Sequence, residues 1–190
     1  MSQNIKENKY NHIFTAARFV PKKGLKLLFK AFQQDTDSAL LIAGGNENEL
    51  EKLELEIKNG ISLLGKLSPA EMATQLAESK MTIVPSIIEP YGIIVAEAIC
   101  CGSPVVATNV GGIPEVIALA KKNLNSIEQG VFDDWVKLVD PEVAAIRTGI
   151  DILLKNYNGL EEYIKLVPKV RKQFSWSKKL NQYHNMLAES

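Results

Sequence analysis

Cysteine and histidine are scarce in this chain, at two each in 190 residues. His12 and His184 lie far apart, and neither belongs to the short-spaced pattern that zinc ligands take. Cys100 and Cys101 are adjacent, which reads as a pair of reduced thiols in a cytoplasmic setting rather than a disulfide or a metal pair. Excess charge of either sign is missing as well, because 22 Lys and Arg balance 22 Asp and Glu. No basic surplus is left to recruit nucleic acid or an anionic membrane. The apolar runs break well below the roughly 18 residues that a membrane helix needs, and no signal-peptide pattern is present. Internal repeats and low-complexity tracts are absent too. What the chain has is a hydrophobic content of 46%, too high for disorder and enough for one well-filled domain.

Its apolar residues come in short runs separated by turn residues. His12 to Ala17 reads as a first strand, ended by Arg18-Phe19-Val20-Pro21, and Lys23-Gly24 opens a helix with Leu25, Leu28, Phe29 and Phe32 on one face. Ala39 to Ala43 is a second strand stopping at Gly44-Gly45, after which Asn46 caps a solvated helix from Glu47 to Lys58. Ile61 to Leu64 is a third strand. Beyond the loop Gly65-Lys66-Leu67, Ser68-Pro69-Ala70-Glu71 forms a capping box with proline at the first helical position. The stretch 81–116 repeats the alternation: an apolar strand from Met81 to Val84, a break at Pro85-Ser86, a helix after Gly92 closed by Gly102, a β-branched run from Pro104 to Thr108, then Gly111-Gly112. This alternation predicts an α/β fold, a doubly wound, Rossmann-like parallel sheet of about six strands with helices on both faces. Residues 118–135 are polar and mixed and give no defined element. Val136 to Val139 reads as the last strand, followed by helices from Pro141 to about Asn156, from Leu160 to Lys172 and from Trp176 to Ala188.

Chemistry concentrates on the strand-to-helix loops, which converge on one edge of a parallel sheet. Glu89 and Glu97 have seven residues between them. Ionised, they accept hydrogen bonds and suit sugar or ribose hydroxyls. Backbone N–H groups of Gly92, Ile93 and Ile94 at the helix start would face a phosphate or sugar oxygen. Glu97, set among Ile93, Ile94, Val95, Ala96, Ala98 and Ile99, is costly to bury unpaired and should meet a polar cleft or a donor. The same spacing also fits an exposed loop glutamate and a partly solvated helix glutamate. Arg18 and Lys23, on the first loop, form either a cationic clamp on a diphosphate or ordinary surface charge.

The segments PS-x-x-EPYG, Glu97-Ala98, G-x-PVVAT and GG-x-PE, with AARFVPKKG upstream, together resemble the signature of family 4 retaining glycosyltransferases of the GT-B fold. The C-terminal, donor-binding domains of that family carry a Glu-x7-Glu motif and a GR-x-x-x-x-KG motif. The resemblance implies that Glu89 holds hydroxyls of the donor sugar, that Glu97 binds the nucleotide ribose, and that Arg18 and Lys23 grip the donor diphosphate. It also implies that Gly44, Lys66 and Leu67 line the nucleotide, and that Glu89, Arg18 and Lys23 act in catalysis. Ala17 stands where the family has glycine, Lys22 faces solvent, and Glu115 is a helix N-terminal charge. The implied donor is a UDP- or GDP-linked sugar used without a metal ion or an organic cofactor.

Phe174-Ser175-Trp176 resembles the family's F-x-W element before its last helix. The implied layout is a flexible N-terminus over 1–10, a nucleotide-sugar-binding domain over 11–174, and a C-terminal helix over 175–190. That helix would cross to an N-terminal acceptor domain, in a longer protein or a separate subunit. A membrane lipid acceptor is not evident in these residues. Two other readings stay open: a non-catalytic nucleotide-sugar-binding module or subunit requiring a partner chain, and a relative of the sugar-nucleotide epimerases.

Overall fold

Short aliphatic and β-branched runs become strands here because each is long enough to cross a core and is bounded by glycine, proline or a capping residue. The strands are β1 (His12–Ala16), β2 (Ala39–Ala43), β3 (Ile61–Gly65), β4 (Met81–Val84), β5 (Val105–Thr108) and β6 (Val136–Val139). They form one parallel sheet of six strands in the order β3-β2-β1-β4-β5-β6. The computed structural model describes residues 12–32, 38–155 and 159–174. Every residue of β4 and β5 is buried, as expected for central strands covered on both faces.

The helices are α1 (Leu25–Ala31), α2 (Glu47–Glu51), α3 (Pro69–Glu78), α4 (Ile93–Cys101), α5 (Ile113–Lys121), α6 (Ser126–Trp135), α7 (Val143–Lys155) and α8 (Leu160–Arg171). On one side α1 packs against α7; on the other α4 is surrounded by α3, α5 and α8. This is the predicted doubly wound, Rossmann-like architecture. After β3 the chain returns to lay β4 beside β1. The loops leaving β1 and β4 therefore start side by side at the C-terminal edge of the sheet, the topological switch point where ligands bind in such folds.

One expectation needs correction, and one stretch left open by the sequence takes form. The second helix stops at Glu51 instead of reaching Lys58. Its capping box is present, with Asn46 and Glu49 bonded reciprocally, but burial of Leu50 and Leu53 leaves little apolar stripe beyond them. A short helix without such a stripe has nothing to hold it, and the chain turns at Glu54 (φ 55°). Residues 118–135, whose structure the sequence leaves open, hold the end of α5 and all of α6. Asn125 and Glu128 cap α6 reciprocally, and Phe132 and Trp135 bury against Tyr163, each ring centroid 6.2 Å from its ring. The N-terminal segment 1–10 and the helix expected over 176–188 lie outside the described residues.

Candidate functional site

The site at this edge of the sheet is built by backbone packing. The β1–α1 loop ends in a tight turn over Pro21–Lys23, closed by Gly24 at φ 70°. A Cβ on Gly24 would stand 1.7 Å from the Pro85 carbonyl oxygen, so only glycine lets this loop lie against the one after β4. The Lys22 carbonyl accepts from the N–H groups of Ile87 and Ile88 at 2.8 and 3.0 Å. The β5–α5 loop presses from the other side. A Cβ on Gly111 would come within 2.0 Å of the Glu89 carbonyl oxygen, which also accepts from the Gly112 N–H at 2.9 Å. The loop that carries Glu89 is thus clamped between its two neighbours.

That clamp brings Lys23 and Glu89 together across 66 residues of sequence, with Nζ donating to Oε2 at 2.5 Å. Glu89 is 7% exposed. Its Oε2 also accepts from Ser86 Oγ and its Oε1 from the Gly92 N–H, each at 3.3 Å. Burial, the largest single influence, would push the Glu89 carboxyl up. The Lys23 hydrogen bond and charge, the Gly92 N–H and the Ser86 hydroxyl together outweigh it and hold the group below its ordinary value. A lysine ammonium retains donors beyond the one spent on Glu89, and the carboxylate retains lone pairs. Both can meet a further ligand without separating.

The remaining residues singled out from sequence fall differently. Arg18 sits on the same loop as Lys23, exposed, and its side chain makes no hydrogen bond or ion pair among the described residues. Lys66 is exposed and Leu67 half-buried against the core, both on the loop after β3. Gly44 donates its N–H to the Gly65 carbonyl at 2.7 Å and packs on the Ala17 backbone, so contact between loops accounts for its small size. The Gly92 N–H donates to Glu89 Oε1 within its own loop. The N–H groups of Ile93 and Ile94 have no partner among the described residues. Glu97 is on an exposed position of α4 and makes no hydrogen bond among them. Loss of part of its hydration raises its carboxyl above the ordinary value.

Sequence reasoning overlooked three features. Ser86 and Thr108, both fully inside the fold, anchor the Glu89 loop. An apolar rim of Ile87, Ile88, Tyr91 and Ile93 stands exposed around it. The rim was legible as large apolar residues on the loop before α4 and at its first position. Cys100 and Cys101 are free thiols, as expected. Among the described residues no helix is long and apolar enough to cross a membrane.

The chain is similar to known proteins over most of its length. Over 173 residues the chain is 30% identical to an uncharacterized glycosyltransferase of Methanocaldococcus jannaschii, covering 86% of this chain and 41% of that protein. It is 29% identical over 186 residues to a D-inositol 3-phosphate glycosyltransferase of Corynebacterium jeikeium, again spanning 41% of the relative. Among solved structures, Anabaena HepE in complex with UDP and glucose superposes with a TM-score of 0.72 at 20% identity, over 99% of this chain and 51% of that one. This chain thus spans about two fifths of the length of these curated relatives. Residues 1–173 match the family described as "Glycosyl transferases group 1", and the chain belongs to that family.

Proposed function

We propose that this chain is the C-terminal, donor-binding part of a retaining GT-B glycosyltransferase of family 4, and that it holds a UDP- or GDP-linked sugar. The observation that carries the reading is the Lys23–Glu89 pair at the topological switch point. It places a cation with spare donors beside a carboxylate with spare acceptors, which is the combination a phosphate-linked sugar requires. Lys23 and Arg18 take the diphosphate and stabilise its charge as it leaves; Glu89 takes sugar hydroxyls; Glu97 takes the ribose. Gly44, Lys66 and Leu67 lie along the nucleotide, and the unpartnered N–H groups of Ile93 and Ile94 face the phosphates. That HepE was solved with UDP and glucose supports this donor chemistry. The exposed rim of Ile87, Ile88, Tyr91 and Ile93 is the face that an acceptor-side domain or subunit would cover.

Calorimetric titration with UDP, GDP and ADP in the presence of a chelator tests the reading, because Arg18 and Lys23 are cations enough for a diphosphate. Binding of at least one of them is expected. Absence of heat and of any melting shift at millimolar ligand would overturn it.

A further inference from the structure

Thr108 ends β5 and is completely buried. Its Oγ1 donates to the Ser86 carbonyl at 2.5 Å and lies 3.3 Å from the Val84 carbonyl. Ser86 is 2% exposed, and its own hydroxyl donates to Glu89 Oε2. A relay therefore runs from the end of one strand, through the loop after its neighbour, to the carboxylate. Packing alone does not call for it, since the preceding positions of β5 are Val105, Val106 and Ala107, and valine has the shape of threonine. A buried hydroxyl is costly unless bonded, and this one is spent on the loop that carries Glu89.

A second buried hydroxyl cluster gives the contrast. Ser79, Thr82 and Ser103 bond one another at 2.8–3.0 Å. They lie where β4 and β5 begin, at the opposite edge of the sheet from Glu89.

We propose that Thr108 and Ser86 are positioning residues for the donor sugar, fixing the Glu89 carboxylate where Lys23 and a sugar hydroxyl can share it. This rests on the reading of Glu89 as the sugar-binding carboxylate. Their hydroxyls touch no substrate; they act through Glu89. Without Thr108 Oγ1 the Ser86 peptide loses its anchor, and Glu89 loses the alignment that keeps it ionised next to Lys23.

The test uses the ligand-free chain first. The Gly92 N–H donates to Glu89, so its amide shift followed against pH by NMR reports the Glu89 carboxyl. Thr108→Val and Ser86→Ala should each move that midpoint up toward the ordinary carboxylate range. Thr108→Ser should restore it, and Thr82→Val, which removes a buried hydroxyl elsewhere, should lower the melting temperature without moving it. In the second arm, Thr108→Val should weaken UDP-glucose or GDP-mannose roughly three- to tenfold, the worth of about one hydrogen bond, with UDP or GDP unchanged. The inference is overturned if folded Ser86→Ala and Thr108→Val keep the wild-type titration, or if Thr82→Val shifts it equally. Should the wild type bind no nucleotide sugar, the donor reading fails while the titration still decides the positioning.

Discussion

Glu89 keeps its charge in a buried place because Lys23, Ser86 and the Gly92 N–H outweigh the lost water. Its folded pKa lies below the unfolded one. The stability it contributes is therefore present above the ordinary carboxylate pKa and lost as pH falls through the depressed folded value. Glu97 has the opposite sign: its carboxyl is raised by desolvation, so its contribution is complete below the unfolded pKa and lost as pH rises through the folded one. At neutral pH Glu97→Gln should leave the melting temperature equal or higher. In the same variant nucleotide affinity should drop by about 1–3 kcal/mol, roughly 5- to 150-fold, if the carboxylate takes ribose hydroxyls. Glu89→Gln should spare UDP or GDP and weaken only the nucleotide sugar; equal losses for both would show its role misassigned. Acid titration separates the two sites further. Affinity for UDP should decline first, as Glu97 protonates, while the extra affinity conferred by the sugar persists to the lower pH at which Glu89 protonates. Isothermal titrations of UDP and UDP-glucose across that range measure both.

Among elements, the loop carrying Glu89 shows how much a glycine elsewhere can decide. Gly24→Ala puts a methyl group against the Pro85 carbonyl in a left-handed backbone, and should cost more than about 2 kcal/mol in chemical unfolding. A variant as stable as wild type would mean that the two loops are free to part. In α6 the Asn125–Glu128 box is a local start signal of the same S/N-x-x-E kind as Ser68–Glu71, and both bonds of each box are present. Asn125→Ala should destabilise the chain by about 1 kcal/mol, with circular dichroism melting as the readout. The element was hard to see because its two buried aromatics, Phe132 and Trp135, are spaced for a helix but surrounded by exposed acids. Their burial depends on Tyr163 of α8, which no local pattern around 126–135 announces.

For the whole molecule, the strand order sets the loop after β4 beside the loop after β1, and Ile87, Ile88, Tyr91 and Ile93 stand exposed there. A large apolar side chain left in water forgoes about 1.5–3 kcal/mol of burial, so this rim is better suited to an interface than to bulk solvent. We predict that this chain, purified alone, hydrolyses or transfers a labelled UDP- or GDP-sugar near background. Acceptor positioning, and much of the electrostatic surrounding of the reacting sugar, would come from the opposing part. Turnover well above a Glu89→Ala control would mean that one domain is sufficient.

The sequence by itself determined the alternation of strands and helices, the loops that bear Arg18, Lys23, Glu89 and Glu97, and the family resemblance of those loops, because period, caps and turn residues are local properties. It did not determine that the Gly92 N–H turns inward, that Lys23 seats on Glu89, or that Thr108 and Ser86 stand behind that carboxylate. Those contacts join residues of three different strand-to-helix connections. They exist only once β4 pairs with β1 and β5 pairs with β4, and backbone packing at Gly24 and Gly111 then sets which oxygen meets which donor.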